Sequence, residues 1–202
     1  GFPRDAAAWC NSTGNQLISK EAAGGKSVVV IEKGEPKSCN IVTSCEGKGK
    51  TFIMFSDDLD KALATFVLAN GAAATGQKVT IFFTFWGLNV IKKLHKPNVE
   101  KDIFGKMFGM MLPSSSRKLK LSKMSMGGIG GKMMRYIMNR KGIDSLESLR
   151  QQALENGVEF IACQMSMDVM GVKQEELLDE VTIGGVATYM ERADNANINL
   201  FI

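Results

Sequence analysis

A single histidine, His95, is all that this chain of 202 residues holds, and that scarcity closes off several chemistries. A Cys–His hydrolase would rest on His95 alone. It stands among Lys92, Lys93 and Lys96, the setting of a solvated surface residue rather than a base or a ligand. Cysteine is also sparse. Cys10, Cys39, Cys45 and Cys163 form no C-x-x-C or T-x-x-C pattern, which removes the usual signatures of a disulfide reductase or thiol peroxidase. Cys39 and Cys45 have no histidine near them and make a poor zinc site, so no metal is expected. No signal-peptide pattern precedes the cysteines, and the expectation is a reducing cytosol. The chain opens on Gly1 rather than Met, which leaves room for residues upstream. Its longest apolar stretch, 79–91, is broken by Thr80, Thr84 and Asn89 and is too short to span a bilayer as a helix. Phosphate-loop chemistry is missing as well. The segment 126–133 is glycine-rich, but Lys132 is followed by Met133 rather than Ser or Thr, and no strand precedes it, so it fits neither a P-loop nor a dinucleotide fingerprint. No cofactor is expected.

What remains is an ordinary globular composition, 45% hydrophobic and 23% charged, enough for one good core and a smaller appendage. A net charge of +4 does not imply a nucleic-acid partner. Residues 4–14 read as a helix, and 16–21 and 27–33 as a hairpin turning at Gly24-Gly25. A helix and a hairpin bury too little surface to stand alone, so this is half of a domain. Residues 35–50 have the composition of a linker.

The pattern then changes to apolar runs at 51–55, 78–85 and 158–162, with weaker strands at 181–183 and 197–202. Helices alternate with them: one from Asp57 or Asp58 to about Gly71, one at 145–155 with an Asp144/Glu147 capping box, and one at 186–192. Near-continuous apolar strands imply a parallel sheet covered on both faces. The expected fold is therefore a three-layer α/β/α domain with a parallel sheet of about five strands, residues 51–202, interrupted by a helical insertion around 97–142. Between Arg117 and Lys141 that insertion carries eight Lys or Arg and no Asp or Glu. Ile129, Met133, Met134, Ile137 and Met138 share one helical face, which packs on the core, meets a protein partner or lies on an anionic membrane surface.

In an open α/β sheet, ligands and reactive groups gather beyond the carboxyl ends of the strands. Three segments qualify: Ser56-Asp57-Asp58, Thr84-Phe85-Trp86-Gly87 and Cys163-Gln164-Met165-Ser166. Acidic Asp57 and Asp58 would repel a flavin phosphate. Cys163 leaves the sheet where a following helix, capped by Ser166, would point its positive end and favour thiolate. A cysteine in that position also commonly just packs, and position alone leaves both readings open.

Two sets of residues are familiar. Gly1-Phe2-Pro3-Arg4-Asp5 with Ala8-Trp9-Cys10-Asn11-Ser12-Thr13-Gly14-Asn15 resembles the second half of a TusA-like (SirA-like) sulfur-carrier domain over about residues 1–34. The Cys-Pro-x-Pro motif of that family belongs to its first half, which this sequence lacks, and Cys10 does not match it. Residues from about 50 onward resemble DsrE/DsrF-like proteins, including those labelled peroxiredoxin-like. The resemblance is carried by Phe83-Thr84-Phe85-Trp86-Gly87-Leu88, by Leu121-Ser122-Lys123-Met124-Ser125-Met126-Gly127-Gly128, and by Ala162-Cys163-Gln164-Met165-Ser166-Met167-Asp168-Val169-Met170-Gly171. It implies an α/β/α domain, a trimer or hexamer, and a sulfur-accepting cysteine at Cys163 that exchanges persulfide sulfur with donor and acceptor proteins of TusA-like or rhodanese-like kind. Asp57, Asp58, Trp86 and Gln164 would line the pocket. The competing functions are a non-catalytic binding module and a thiol-dependent peroxidase or disulfide reductase.

Overall fold

The computed structural model describes residues 16–23, 26–32, 49–95, 97, 99, 103–124 and 126–202. The helix expected at 4–14, most of the expected linker, and Cys10, Cys39 and Cys45 lie outside the described residues. The chain divides into two compact units, Gly1–Cys45 and Glu46–Ile202. In the first, β1 (Gln16–Ala23) and β2 (Lys26–Glu32) form the expected antiparallel hairpin, with a register shift between Leu17 and Ser19.

The second unit is built on five parallel strands in the order β6-β5-β4-β3-β7. These are β3 (Gly49–Met54), β4 (Val79–Phe83), β5 (Glu159–Cys163), β6 (Thr182–Gly184) and β7 (Ala196–Phe201). All five residues of β4, the middle strand, are buried, which explains its unbroken apolar sequence. One sheet face packs on α1 (Leu59–Ala74) and on the later α4 (Leu146–Glu155). Phe52, Met54, Ile81, Phe83 and Phe160 meet Leu59, Phe66, Ala69, Leu146 and Ala153 there in the main core. The rings of Phe66, Phe83 and Phe160 lie 5.4 to 6.4 Å apart.

As the sequence pattern implies, helices flank the sheet on both faces in a three-layer α/β/α arrangement. Among the described residues the opposite face carries α6 (Val186–Asp194), which links β6 at one edge to β7 at the other. Tyr189 reaches down from α6 onto Phe82, ring centroids 5.2 Å apart. At the β7 edge Ile198, Leu200 and Phe201 are exposed; Ile198 and Leu200, in register with Lys50 and Phe52, lie on the α1 face, and Phe201, in register with Ile53, lies on the α6 face.

After β4 the chain enters a 3-10 segment, Phe85–Ile91. Gly87 is required there: a Cβ would stand 1.9 Å from the Met54 carbonyl oxygen. The insertion contains α2 (Ile103–Met111) and α3 (Ile129–Arg140), and α5 (Gln164–Met170) follows β5. The cap of α4 also differs from expectation. Ser145, not Asp144, accepts from the Ser148 N–H, while Glu147 turns away to Ser116 and Arg135, at 2.8 and 3.1 Å. No helix among the described residues is long and apolar enough to cross a membrane.

Candidate functional site at the carboxyl edge of the sheet

Side chains alternate along β5. Phe160 and Ala162 enter the main core, whereas Ile161 and Cys163 face α6 and join Phe82 and Tyr189 in a second apolar cluster, with Ile53 and Ala193 against it. Cys163 is a free thiol and 2% exposed. It pairs with Gly184 as the last residue of β5 and is itself the N-cap of α5, with no side-chain capping bond. The helix thus begins immediately after the cysteine, and Ser166, expected as its cap, lies inside its first turn. Fully buried, the Ser166 hydroxyl bonds the Thr84 hydroxyl at 2.8 Å, tying the end of β4 to α5.

Asp57, Asp58 and Trp86 come together around a groove of about 640 Å³ whose far side is Met110, Met111, Lys118 and Lys120. Asp57 accepts from Asn89 Nδ2 at 3.0 Å. Burial pushes the Asp57 carboxyl above its ordinary range, reinforced by the neighbouring Asp58 charge and opposed by the Asn89 hydrogen bond and Lys92. Asp58 occupies the N-cap position of α1 without capping it; its carboxylate accepts from Ser56 Oγ at 2.7 Å and pairs with Lys61 at 2.9 Å. Trp86 is 42% exposed. It follows Phe85, whose φ of 47° is a strained conformation for a bulky residue, and precedes the tightly packed Gly87. Neither Cys163 nor Gln164 lines this groove. Gln164 instead donates to Asp168 Oδ1 at 2.9 Å, one turn along α5.

The sequence reading therefore locates the carboxyl edge but joins two places that the fold separates: a polar groove over β3 and β4, and a buried thiol on the α6 side of β5. It overlooks the Thr84–Ser166 bond, Asn89, and Tyr189 as cover for the cysteine. A signal for the first exists in retrospect, since Thr84 interrupts the run Phe82-Phe83-Thr84-Phe85 where a hydroxyl needs a partner. His95 is exposed, and no metal-binding cluster occurs among the described residues. The Met-rich segment divides its apolar residues: Met138 is buried and Met134 packs on the main core, whereas Ile129, Met133 and Ile137 of the same helical face, with Met110, Met111, Met124 and Met126, are exposed.

The parallel five-stranded α/β sheet places the second unit in the α/β class. Residues 47–201 match the model of the DsrE/DsrF/DrsH-like family, and the chain belongs to that family. Among its relatives, the protein YrkE of Bacillus subtilis (strain 168), described as uncharacterized, is 44% identical over 155 residues, 77% of this chain and 97% of the relative. The sulfur carrier protein DsrE2 of Allochromatium vinosum is 38% identical over 161 residues, 78% of this chain and 99% of the relative. The crystal structure of the ychN protein from E. coli aligns with a TM-score of 0.46 at 11% identity, covering 76% of this chain and 99% of that one.

Proposed function

We propose that the chain is a sulfur-relay protein whose Cys163 accepts a sulfane sulfur as a persulfide and passes it to an acceptor thiol. The observation that carries this reading is a free cysteine ending a central strand at the carboxyl edge of the sheet, in a chain 38% identical to a protein named as a sulfur carrier. The exchange needs a thiolate and access, and no general base or metal. Access is the demanding condition, because Cys163 is buried under α6 as folded; transfer requires that cover to open. Donor and acceptor are proteins carrying reactive thiols, of TusA-like or rhodanese-like kind. The β7 edge of the sheet, with Ile198, Leu200 and Phe201 exposed, supports assembly into a homo-oligomer, for which a trimer or hexamer is the expectation.

Incubation with a sulfane-sulfur donor, followed by peptide mass mapping, tests the relay. One sulfur atom added to the Cys163 peptide and lost in Cys163→Ser is the expected result. A wild-type chain that consumes donor without loading Cys163 refutes it, and Cys163-dependent consumption of peroxide favours the peroxidase reading. The outward Met residues and the run of eight cations support a second contact, with an anionic membrane surface. Co-sedimentation with anionic vesicles that is lost in high salt is the expected outcome, and absence of binding at low salt removes the idea.

A further inference from the structure

The last paired residues of β4 and β5 are Phe83 and Ala162. Thr84 and Cys163 each follow by one residue in extended backbone, with φ and ψ of −134° and 151° and of −71° and 113°. Two residues earlier, Phe82 and Ile161 are register partners on the α6 face. Period-two alternation therefore sets Thr84 and Cys163 side by side on that face, on strands about 4.8 Å apart. Phe82, Ile161 and Tyr189 form the apolar cluster around the thiol, and the Tyr189 hydroxyl is directed to Thr51 at 3.3 Å. A buried anionic group needs a hydrogen-bond donor. The Thr84–Ser166 pair is buried. One O–H proton holds the two hydroxyls together, which leaves the other available to a further acceptor.

We propose that the Thr84–Ser166 hydroxyl pair is the hydrogen-bond donor to the Cys163 sulfur, turning an O–H onto it when it becomes a thiolate or a persulfide anion. The proposal rests on Cys163 as the relay cysteine. In the loading step the Cys163 thiolate attacks the outer sulfur of a donor R–S–SH. The new S–S bond forms as the donor S–S bond breaks, and the electron pair leaves on R–S⁻. The persulfide proton then passes to R–S⁻, giving R–SH and Cys163–S–S⁻. Oxidation state is conserved over the two partners, and neither hydroxyl loses its proton. Thr84 and Ser166 are positioning residues that act through the charge on sulfur.

The test compares Thr84→Val, Thr84→Ser and Ser166→Ala in the full chain, reading the pH–rate profile of Cys163 alkylation and sulfur loading from a sulfane donor. Thr84→Val keeps the shape and removes the hydroxyl. It is expected to slow alkylation about tenfold at neutral pH and to move the midpoint of the profile about one unit upward. Thr84→Ser restores both, and Ser166→Ala shifts the profile in the same direction by less. Unmoved profiles in folded Thr84→Val and Ser166→Ala overturn the proposal, even where the wild type loads sulfur. Profiles shifted in the variants, together with a wild type that takes no sulfur at Cys163, uphold the donor pair and overturn the relay instead. If Thr84→Val does not fold, Ser166→Ala decides alone.

Discussion

Replacing Tyr189 with Ala should expose the Cys163 thiol to reagents. Tyr189 is 8% exposed and seats its ring on Phe82, inside the cluster that buries Cys163. Few other groups hold α6 down: Val186 and Met190 point outward, 61% and 50% exposed. The Arg192–Glu159 pair lies at the far end of the helix. Truncating a buried aromatic ring costs about 3–5 kcal/mol. If most of that loss falls on the contact between α6 and the sheet, local opening becomes easier by about 3 kcal/mol, roughly a hundredfold in open population. Alkylation limited by opening should accelerate by about the same factor. Tyr189→Phe keeps the ring and loses only the 3.3 Å hydroxyl contact with Thr51. Its cost of about 0.5–1.5 kcal/mol should raise the rate no more than about tenfold. The assay is timed alkylation with peptide mass mapping, which separates Cys163 from the other cysteines, run beside denaturant unfolding. A Tyr189→Ala chain that is less stable but alkylated no faster at Cys163 would refute α6 as the cover. A wild-type Cys163 as reactive as a free thiol would show that no cover exists.

Gly87→Ala should destabilise the fold by roughly 4 kcal/mol or more or prevent folding, read as a lowered urea midpoint, because its Cβ would sit 1.9 Å from the rigid Met54 carbonyl oxygen. Asp57→Asn should stabilise the chain at neutral pH. Burial raises the Asp57 carboxyl above its ordinary 3.8, so the native state keeps a proton that the unfolded chain releases, and stability falls as pH rises from 3.8 through the native value. The advantage of the amide should vanish below pH 3.8, and melting temperatures across that range decide it. Glu159 behaves oppositely. The Arg192 hydrogen bond, with a second from Thr80, holds its carboxyl below the ordinary 4.5; its contribution is present above that value and is lost as pH falls through the lower native one. Arg192→Gln should therefore lower the melting temperature at neutral pH and match the wild type in acid. A difference that persists in acid refutes the assignment.

The parts of the fold that sequence could reveal are those set by local pattern. The buried run Val79–Phe83 can only be a central strand. Gly157, with a φ of 77°, follows the end of α4 because a left-handed residue there is a local requirement, whereas the choice of Ser145 over Asp144 as its cap follows from Glu147 being drawn to Ser116 and Arg135. The site was legible only as far as strand ends specify it. Asp57, Asp58 and Trp86 follow β3 and β4 and do share a groove. Whether Cys163 also opens into that groove depends on which face its side chain takes, and a one-residue difference in where β5 ends reverses the answer. The strand runs through Cys163, so alternation sends the thiol beneath α6. Burial by Tyr189, twenty-six positions away, leaves no local mark. The same placement gives the chemistry its logic. On the proposed relay, a thiol buried beneath α6 is shielded from solvent oxidants until α6 lifts, and a partner that lifts α6 would set when sulfur moves. Partner binding should then speed Cys163 alkylation when the footprint leaves the thiol open, as Tyr189→Ala does without a partner.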